Sequence, residues 1–599
     1  MPEPRTLVDA LMAARGADAA VGRGRGFTFT DGHNEPVFLS FAALADEALL
    51  VAGRLHGKGL KAGDRVAIVL PDPREFVISF FGCIAGGLVP VPMYPPLSLG
   101  KLDAYMESAS RIIGAGGARA LITSEQLSSL LWGLVGKAGL RDLYTLAKLD
   151  GGALADLPTV APDDMCFLQF TSGSTSDPKG VVVTHANLLA NTRCSAVDGA
   201  NLDPEVDRLV SWLPLYHDMG LIGFVVAPVV LGVATWLIPT LSFVKQPNLW
   251  MDTVDKVGGT VTFGPNFAFA LAARRATEAH LARWKLSQLR LVGCGAEPVQ
   301  PETLRVFTKT FAACGLPASA PLPAYGMAEA TLAVSFKPRD DVFRAVRFDA
   351  LHFCETSEVV AVPESFEGPV QELVSCGRSF PLHTVRVIND DGVSVPEGVE
   401  GQVFVTGPSV TAGYYLNPEA TASVFVDGGV RTGDLGFLLD GELYISGRQK
   451  DLLILNGRNY HPQTVEWEAG EVPGVRKGNV VAFSRPGPNT EELVVVVERG
   501  REAPPDATLA ESVASRVRDA LGLPVADVVV VDAGSLPKTS SGKLQRRKTR
   551  DQYLAGILGR EGVRTAGTGA ERITAAKHLA RSLFARVKHG VGKVVGSDE

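Results

Sequence analysis

Cysteine is scarce: seven among 599 residues (Cys83, Cys166, Cys194, Cys294, Cys314, Cys354 and Cys376), scattered, with no C-x-x-C pair. The spacing offers no disulfide framework and no thiolate metal site, and suits reduced thiols in a cytoplasmic protein. Basic excess is also missing, since 58 Lys and Arg stand against 65 Asp and Glu for a net charge of −7. A nucleic-acid binder would need a basic face, so that class is excluded. The opening "MPEPRTLVDALMAARGADAAVG" has no apolar h-region, and the reading predicts no signal peptide. One uncharged stretch, Met219 to Val244, is long enough to span a bilayer. It contains Pro228, Pro239, Gly220, Gly223 and Gly232, so it reads instead as a buried helix, a turn and a buried strand. No transmembrane segment is expected.

What remains is a long chain of ordinary globular composition, too long for one core, which predicts a large and a smaller domain. From about 38 to 96 helical and strand patterns alternate, in "FLSFAALADEALLVAGRLHGKG", "RVAIVL", "REFVISFFGCIAGG" and "LVPVPMYPP". The alternation returns in "ARALITS", "RLVSWLP", "GTVTFGP", "LRLVGCGAEP" and "PLPAYGM", which predicts an α/β fold with largely parallel sheets. After about residue 377 short runs such as "TVRVIND", "GQVFVTG", "GELYISG" and "DLLILNG" read as β-hairpins. Residues 337–376 fit neither pattern and look inserted. A mixed unit follows from about 460 to 550. The tail opens on a linker at 561 and carries Leu579, Leu583, Phe584, Val587 and Val591 on one face of a basic helix over 573–595. Such a helix is solvated, docks on the protein, or meets a membrane surface or partner.

"FLQFTSGSTSDPKGVVVTHANL" (167–188) places small and hydroxyl residues between two strand-like runs. Backbone N–H groups around Gly173, Ser174, Thr175 and Ser176 can wrap an anion, with Thr171, Ser172 and Lys179 adding donors. A flexible turn would look the same. The stretch is not a Walker A loop, because G-x-x-x-x-G-K-[ST] is unmatched and a strand follows. "YGMAEAT" puts Glu329 after a strand, where a carboxylate could hold Mg²⁺ on a polyphosphate or merely start a helix. "RTGDLG" places Asp434 in a Gly-bounded turn at the end of a strand, suited to paired ribose hydroxyls or to an Asx turn. "LPKTSSGKLQRR" carries Lys543, and "LPLYHDMGL" carries His217 and Asp218 against the apolar segment.

Together, "FTSGSTSDPKG", "YGMAEAT", "RTGDLG", "GRQKD" and "PKTSSGK" resemble, in order and spacing, the adenylate-forming superfamily of acyl-CoA synthetases, nonribosomal-peptide adenylation domains and luciferases. The resemblance runs to about residue 555. "VPVPMYPP", the Ser-Thr-Ser at 174–176, "WLPLYHDMGLIG" and the 337–376 insertion look like the fatty acyl-AMP ligase branch. This implies a large N-terminal domain over 1–448, with the insertion and a β-rich subdomain over 377–448. A small mobile α+β domain over 449–560 would carry the catalytic lysine, followed by the 561–599 tail. It implies ATP-dependent activation of a medium- or long-chain fatty acid to acyl-AMP, with Mg²⁺. Transfer would go to the phosphopantetheine thiol of a separate acyl carrier protein or polyketide or nonribosomal peptide synthase. The alternative acceptor is free CoA, as in a fatty acyl-CoA synthetase.

The resemblance also assigns residues. Thr171, Ser172, Gly173, Ser174, Thr175 and Lys179 would hold the phosphates, with Thr175 and Glu329 on the metal. Gly295, Ala296, Glu297, Pro298, Tyr325, Gly326 and Met327 would frame adenine, and Asp434 with Arg448 would bind ribose. Lys543 would bridge carboxylate and α-phosphate, and His217, Gly223, Asn266 and Phe267 would line the acyl channel. Lys450 would be the hinge, and in this family the insertion limits formation of the CoA-accepting arrangement.

Overall fold

The computed structural model describes residues 3–21, 25–96, 102–171, 178–455, 458–487, 491–539 and 542–559. Ser172, Gly173, Ser174, Thr175 and the tail helix expected over 573–595 lie outside the described residues.

The alternating first half folds into two sheets. The larger has nine strands, and its centre runs Pro321–Gly326, Leu291–Cys294, Val261–Gly264, Arg208–Ser211, Ala234–Leu237 and Gly26–Phe29. These neighbours are all parallel. Antiparallel strands close both edges, Ala333–Phe336 with Arg378–Ser379 on one side and Val37–Ser40 on the other. The smaller sheet joins Val89–Pro92, Arg65–Val69, Ala118–Thr123 and Asp142–Tyr144, again in parallel. Near-continuous apolar runs such as "RVAIV" suit strands covered on both faces. Covering helices begin where the sequence supplies caps. Ser40 caps Phe41–Gly57, and Asp72 with Pro73 opens Pro73–Ala85. Parallel strands deliver their C-terminal ends to one edge, where open α/β sheets bind ligands.

The uncharged Met219–Val244 stretch is a buried helical run, Asp218–Leu221 through Ala227–Leu231, and then strand Ala234–Leu237. Its middle, Ile222–Val226, winds as a π-helical turn that the sequence pattern did not announce. Among the described residues no helix is long and apolar enough to cross a membrane.

Strands Thr384–Ile388, Gly401–Thr406, Gly429–Leu439 and Glu442–Arg448 form the antiparallel β-rich unit. Here one expectation fails: Asp434 is not in a turn but in the middle of the eleven-residue strand Gly429–Leu439. The flanking glycines encode an irregular strand. Gly433 has φ +72°, and a Cβ on Gly436 would lie 2.2 Å from the Tyr444 carbonyl of the paired strand. The 337–376 segment is also ordered, with strands Ala345–Asp349 and Val370–Val374 pairing around helix Ala350–Thr356.

Beyond the Gln449–Asp451 turn lies a smaller α+β unit with its own apolar cores. Strands Val475–Pro486, Glu491–Arg499 and Val525–Val531 make a three-stranded sheet. Helix Asp506–Leu521 buries Leu509, Val513, Val517 and Leu521 at helical spacing against it and stops at left-handed Gly522.

Candidate functional site

A cavity of about 2480 Å³ opens at the C-terminal ends of the parallel strands and reaches the small unit. Every described residue of the predicted set lines it, from Thr171 and Lys179 through His217, Gly223, Asn266 and Phe267 to Lys450 and Lys543. The sequence separations are large, so topology rather than local pattern collects them.

Asp434 is held by two partners across the site. The Tyr325 hydroxyl donates to its Oδ2 at 2.6 Å, and Arg448 Nε approaches Oδ1 at 3.0 Å from the directly paired strand position. Burial and the adjacent carboxylate raise the Tyr325 phenol well above its ordinary range, so it stays a proton donor. The Asp434 charge raises Arg448 further. A carboxylate fixed this way, on a strand rather than a turn, can accept from vicinal hydroxyls.

Glu329 sits on a short 3₁₀ turn, Ala328–Ala330, after strand Pro321–Gly326. Its Oε1 accepts from the Tyr414 hydroxyl at 2.7 Å, and its carbonyl accepts from Thr411 N at 2.9 Å. Lys179 Nζ stands 5.0 Å from the centre of the same Tyr414 ring. Tyr414 thus joins the cation after the predicted phosphate loop to the predicted metal carboxylate, and the sequence reading missed it. The link depends on backbone pairing of Val182 N to Gly413 O (2.9 Å) and Tyr415 N to Gly180 O (2.8 Å), more than 200 residues apart. The aromatic pair in "TAGYYLNP" is the only local signal.

The "GCGAEP" turn leaves strand Leu291–Cys294 with Ala296 at φ +69°, a costly conformation for alanine that shapes the cavity wall. Glu297 Oε1 accepts from Phe267 N at 2.8 Å, and Asn266 Oδ1 accepts from Gln300 N at 3.0 Å, so this turn and helix Asn266–Arg275 hold each other. Burial pushes the Glu297 carboxyl up. Asn266 therefore ties two walls together as well as lining the space. A Cβ on Gly223 would meet no atom within 4 Å, so that wall of the π-helical turn is open.

Lys543 reaches this space from the small unit. Loss of water lowers its ammonium pKa, opposed by Asp218, and Arg448 lowers it further. His217 is pushed down to about 4, first by burial, with Asp218 opposing and Lys543 adding. It is a neutral imidazole near pH 7 beside a cation. Asp218 is thus the carboxylate that most supports charged Lys543. The loop is held by Arg546, whose guanidinium meets Asp451 Oδ2 at 2.6 Å and Glu466 Oε1 at 2.9 Å. Arg546 and Asp451 fall within motifs quoted from the sequence, but Glu466 does not, and no local pattern joins the three.

A sequence profile described as "AMP-binding enzyme" matches residues 17–415. The chain belongs to the AMP-binding enzyme family. Relatives in this family include a Caulobacter vibrioides protein provisionally named an acyl-CoA synthetase, 42% identical over 87% of this chain and 91% of its own. The medium-chain-fatty-acid–[acyl-carrier-protein] ligase JamA of Moorena producens is 33% identical over 93% of this chain and 96% of its own. A solved chain from work on the fatty acyl-adenylate ligases of E. coli and L. pneumophila is 33% identical, with a TM-score of 0.86 covering 92% of this chain and 98% of that one. The AMP-binding enzyme described here is therefore an acyl-adenylate-forming ligase of the adenylate-forming superfamily, with a large N-terminal and a small C-terminal domain.

Proposed function

We propose that the enzyme activates a medium- or long-chain fatty acid as acyl-AMP and delivers the acyl group to the phosphopantetheine thiol of a separate carrier protein. The reading rests most on the 337–376 segment, which binds the small domain to the β-rich unit. Phe353 lies 6.2 Å from the Phe437 ring and 6.1 Å from that of His461, Glu355 pairs with Arg458 at 2.7 Å, and Cys354 packs on the small domain's core. Superfamily members reposition the small domain after adenylation, and a segment that limits that movement, without abolishing it, would oppose the CoA-accepting arrangement. The named carrier-protein ligase among the relatives points the same way. The acyl-CoA synthetase name at 42% identity favours the second reading, in which free CoA is the acceptor.

In the proposed first half-reaction a fatty carboxylate oxygen attacks the α-phosphorus of ATP. The new O–P bond forms as the bond to the β-phosphate oxygen breaks, and pyrophosphate leaves with that electron pair. Two anions must meet, so positioning and charge neutralisation carry the rate. Lys543 would stand between carboxylate and α-phosphate, and Arg could not reproduce its compact ammonium. Neutral His217 would guard the channel mouth without competing for the carboxylate's charge. Asp434 and Arg448 would hold ribose, the 295–298 turn with Tyr325, Gly326 and Met327 would frame adenine, and Lys179 would face the phosphates. Glu329 fits a divalent cation, since it is an oxygen donor oriented by Tyr414, whose ring also faces Lys179. Mg²⁺ held there would neutralise the polyphosphate. The Gln449–Asp451 turn would be the pivot about Lys450, removing Lys543 before acyl transfer.

Incubating the enzyme with ATP, Mg²⁺ and C12–C16 fatty acids, without acceptor, tests this. Acyl-AMP should accumulate and then be consumed when holo-carrier is added. Failure to form acyl-AMP or to exchange pyrophosphate into ATP with any fatty acid would sink the reading.

A further inference from the structure

Glu329 rides near the tip of a hairpin whose backbone takes an unusual course. Strands Pro321–Gly326 and Ala333–Phe336 pair antiparallel, and Met327 N donates across the loop to the Leu332 carbonyl at 2.8 Å. Within that loop Thr331 has φ +70° and ψ −60°, and Leu332 N donates to the Ala330 carbonyl at 2.8 Å. This is a γ-turn of the strained hand, whose central residue sits at about φ +75° and ψ −65°. Glycine adopts positive φ readily, but for a β-branched residue it is an outlier that persists only when its surroundings hold it.

Those surroundings are specific. The buried Thr331 hydroxyl donates to the Ser409 carbonyl at 2.7 Å. Asn191, also buried, grips both sides of the turn. Its Nδ2 donates to the Ala330 carbonyl at 3.2 Å and to the Ala333 carbonyl at 2.8 Å, and its Oδ1 accepts from Ala333 N at 3.1 Å. Asn191 belongs to helix His185–Thr192, which leaves strand Lys179–Thr184 through a capping box of Thr184 and Asn187. Asn187 lies one turn earlier on the same face, and its Nδ2 donates to the Pro408 and Val410 carbonyls at 2.9 and 3.1 Å. The 408–411 segment in turn presents Ser409 to Thr331 and Thr411 to the Glu329 carbonyl. Both supports of the Glu329 hairpin therefore trace to one helix, joined directly to the strand that begins at Lys179.

We infer that Asn191 is a positioning residue for adenylation, which together with Thr331 holds the strained turn that aims the Glu329 carboxylate at the phosphates. This rests on the reading above in which Glu329 holds the divalent cation. A relaxed hairpin tip leaves a carboxylate many orientations. A turn gripped by three backbone hydrogen bonds on one side and a buried hydroxyl on the other leaves it few, and positions it relative to Lys179 before ATP arrives. Asn191 touches no substrate in this scheme and acts only through the Ala330–Ala333 backbone.

The test uses the full chain carrying N191D, T331G or T331S, with E329Q in parallel. N191D keeps the shape and the Oδ1 acceptor but turns an oxygen toward the Ala330 and Ala333 carbonyls. T331G accepts the left-handed backbone without strain but loses the hydroxyl bond and frees the turn. T331S keeps the hydroxyl. Pyrophosphate release with ATP and a C12–C16 fatty acid is followed across a Mg²⁺ titration, and urea midpoints report folding. N191D and T331G should need roughly tenfold more Mg²⁺ for half-maximal rate and lose a similar factor in kcat, with the fatty-acid KM within about twofold of wild type. T331S should restore most of what T331G loses. Should N191D fail to fold, T331G decides alone. Lower urea midpoints with wild-type Mg²⁺ dependence, while E329Q raises the requirement, would overturn this inference alone. An E329Q enzyme with wild-type Mg²⁺ dependence would overturn the metal reading and the inference with it.

Discussion

Replacing Tyr414 by Phe removes one oxygen and leaves the ring. In the structure that oxygen donates to Glu329 Oε1 at 2.7 Å, while the ring stands 5.0 Å from Lys179 Nζ. A hydrogen bond to a charged group contributes roughly 1.5–3 kcal/mol, which corresponds to about 10- to 150-fold in an equilibrium or rate constant. Glu329 lines an open cavity, so water replaces part of what is lost and the effect should fall near tenfold. The expected phenotype is a roughly tenfold higher Mg²⁺ requirement and a similar loss in kcat/KM for ATP, read by pyrophosphate release across a Mg²⁺ titration. Tyr414→Ala should be worse, because it also removes the ring beneath Lys179, worth roughly 0.5–2 kcal/mol, and empties a buried site. A Tyr414→Phe enzyme with wild-type Mg²⁺ dependence would refute the view that this hydroxyl orients a metal-binding Glu329.

Lys543→Ala should abolish acyl-AMP formation while ATP binding, followed by calorimetry, is largely kept; normal adenylate formation would remove Lys543 from the mechanism. Because burial lowers its pKa, wild-type activity should fall on the alkaline side at a lower pH than an ordinary lysine would give, and Lys543→Arg should not restore it. His185 is buried, accepts Leu7 N at 3.1 Å on Nδ1, and is pushed by burial from 6.5 to about 4. The unfolded chain takes up its proton first, so stability is full above pH 6.5 and falls as pH drops toward 4. At pH 5 this one group costs about 2 kcal/mol, and His185→Gln should flatten urea-midpoint dependence between pH 5 and 7. An unaltered slope would mean the histidine is not held neutral. Glu355→Lys turns the 2.7 Å pair with Arg458 into a repulsion. Acyl-CoA yield should then rise several-fold with acyl-AMP formation unchanged, and no gain would count against the 337–376 segment as the restraint.

The parallel sheets were readable because buried strands such as "RVAIV" and "LRLVGC" have no polar face to hide, and the intervening helices carry their own caps. Asp434 was misplaced because Gly433 and Gly436 look like turn residues. Their actual work is a left-handed backbone step and a close strand approach, which depend on the neighbouring strand. The π-helical turn at Ile222–Val226 left no mark in an all-apolar segment, since burial on every side erases periodicity. Motif residues such as Glu329, Asp434 and Lys543 stand out in the sequence because their motifs are compact and ordered along the chain. Tyr414 and Glu466 act through partners that only tertiary pairing brings close, and no local pattern encodes those distances.

The acceptor is the most direct test of the account. With ATP, Mg²⁺ and a C12–C16 fatty acid, wild-type enzyme should be offered equimolar CoA and a holo-carrier panel in the same tube, and both thioesters quantified by mass spectrometry. Delivery to a carrier predicts acyl-carrier as the main product with acyl-CoA minor. Acyl-CoA in large excess over every acyl-carrier would contradict it.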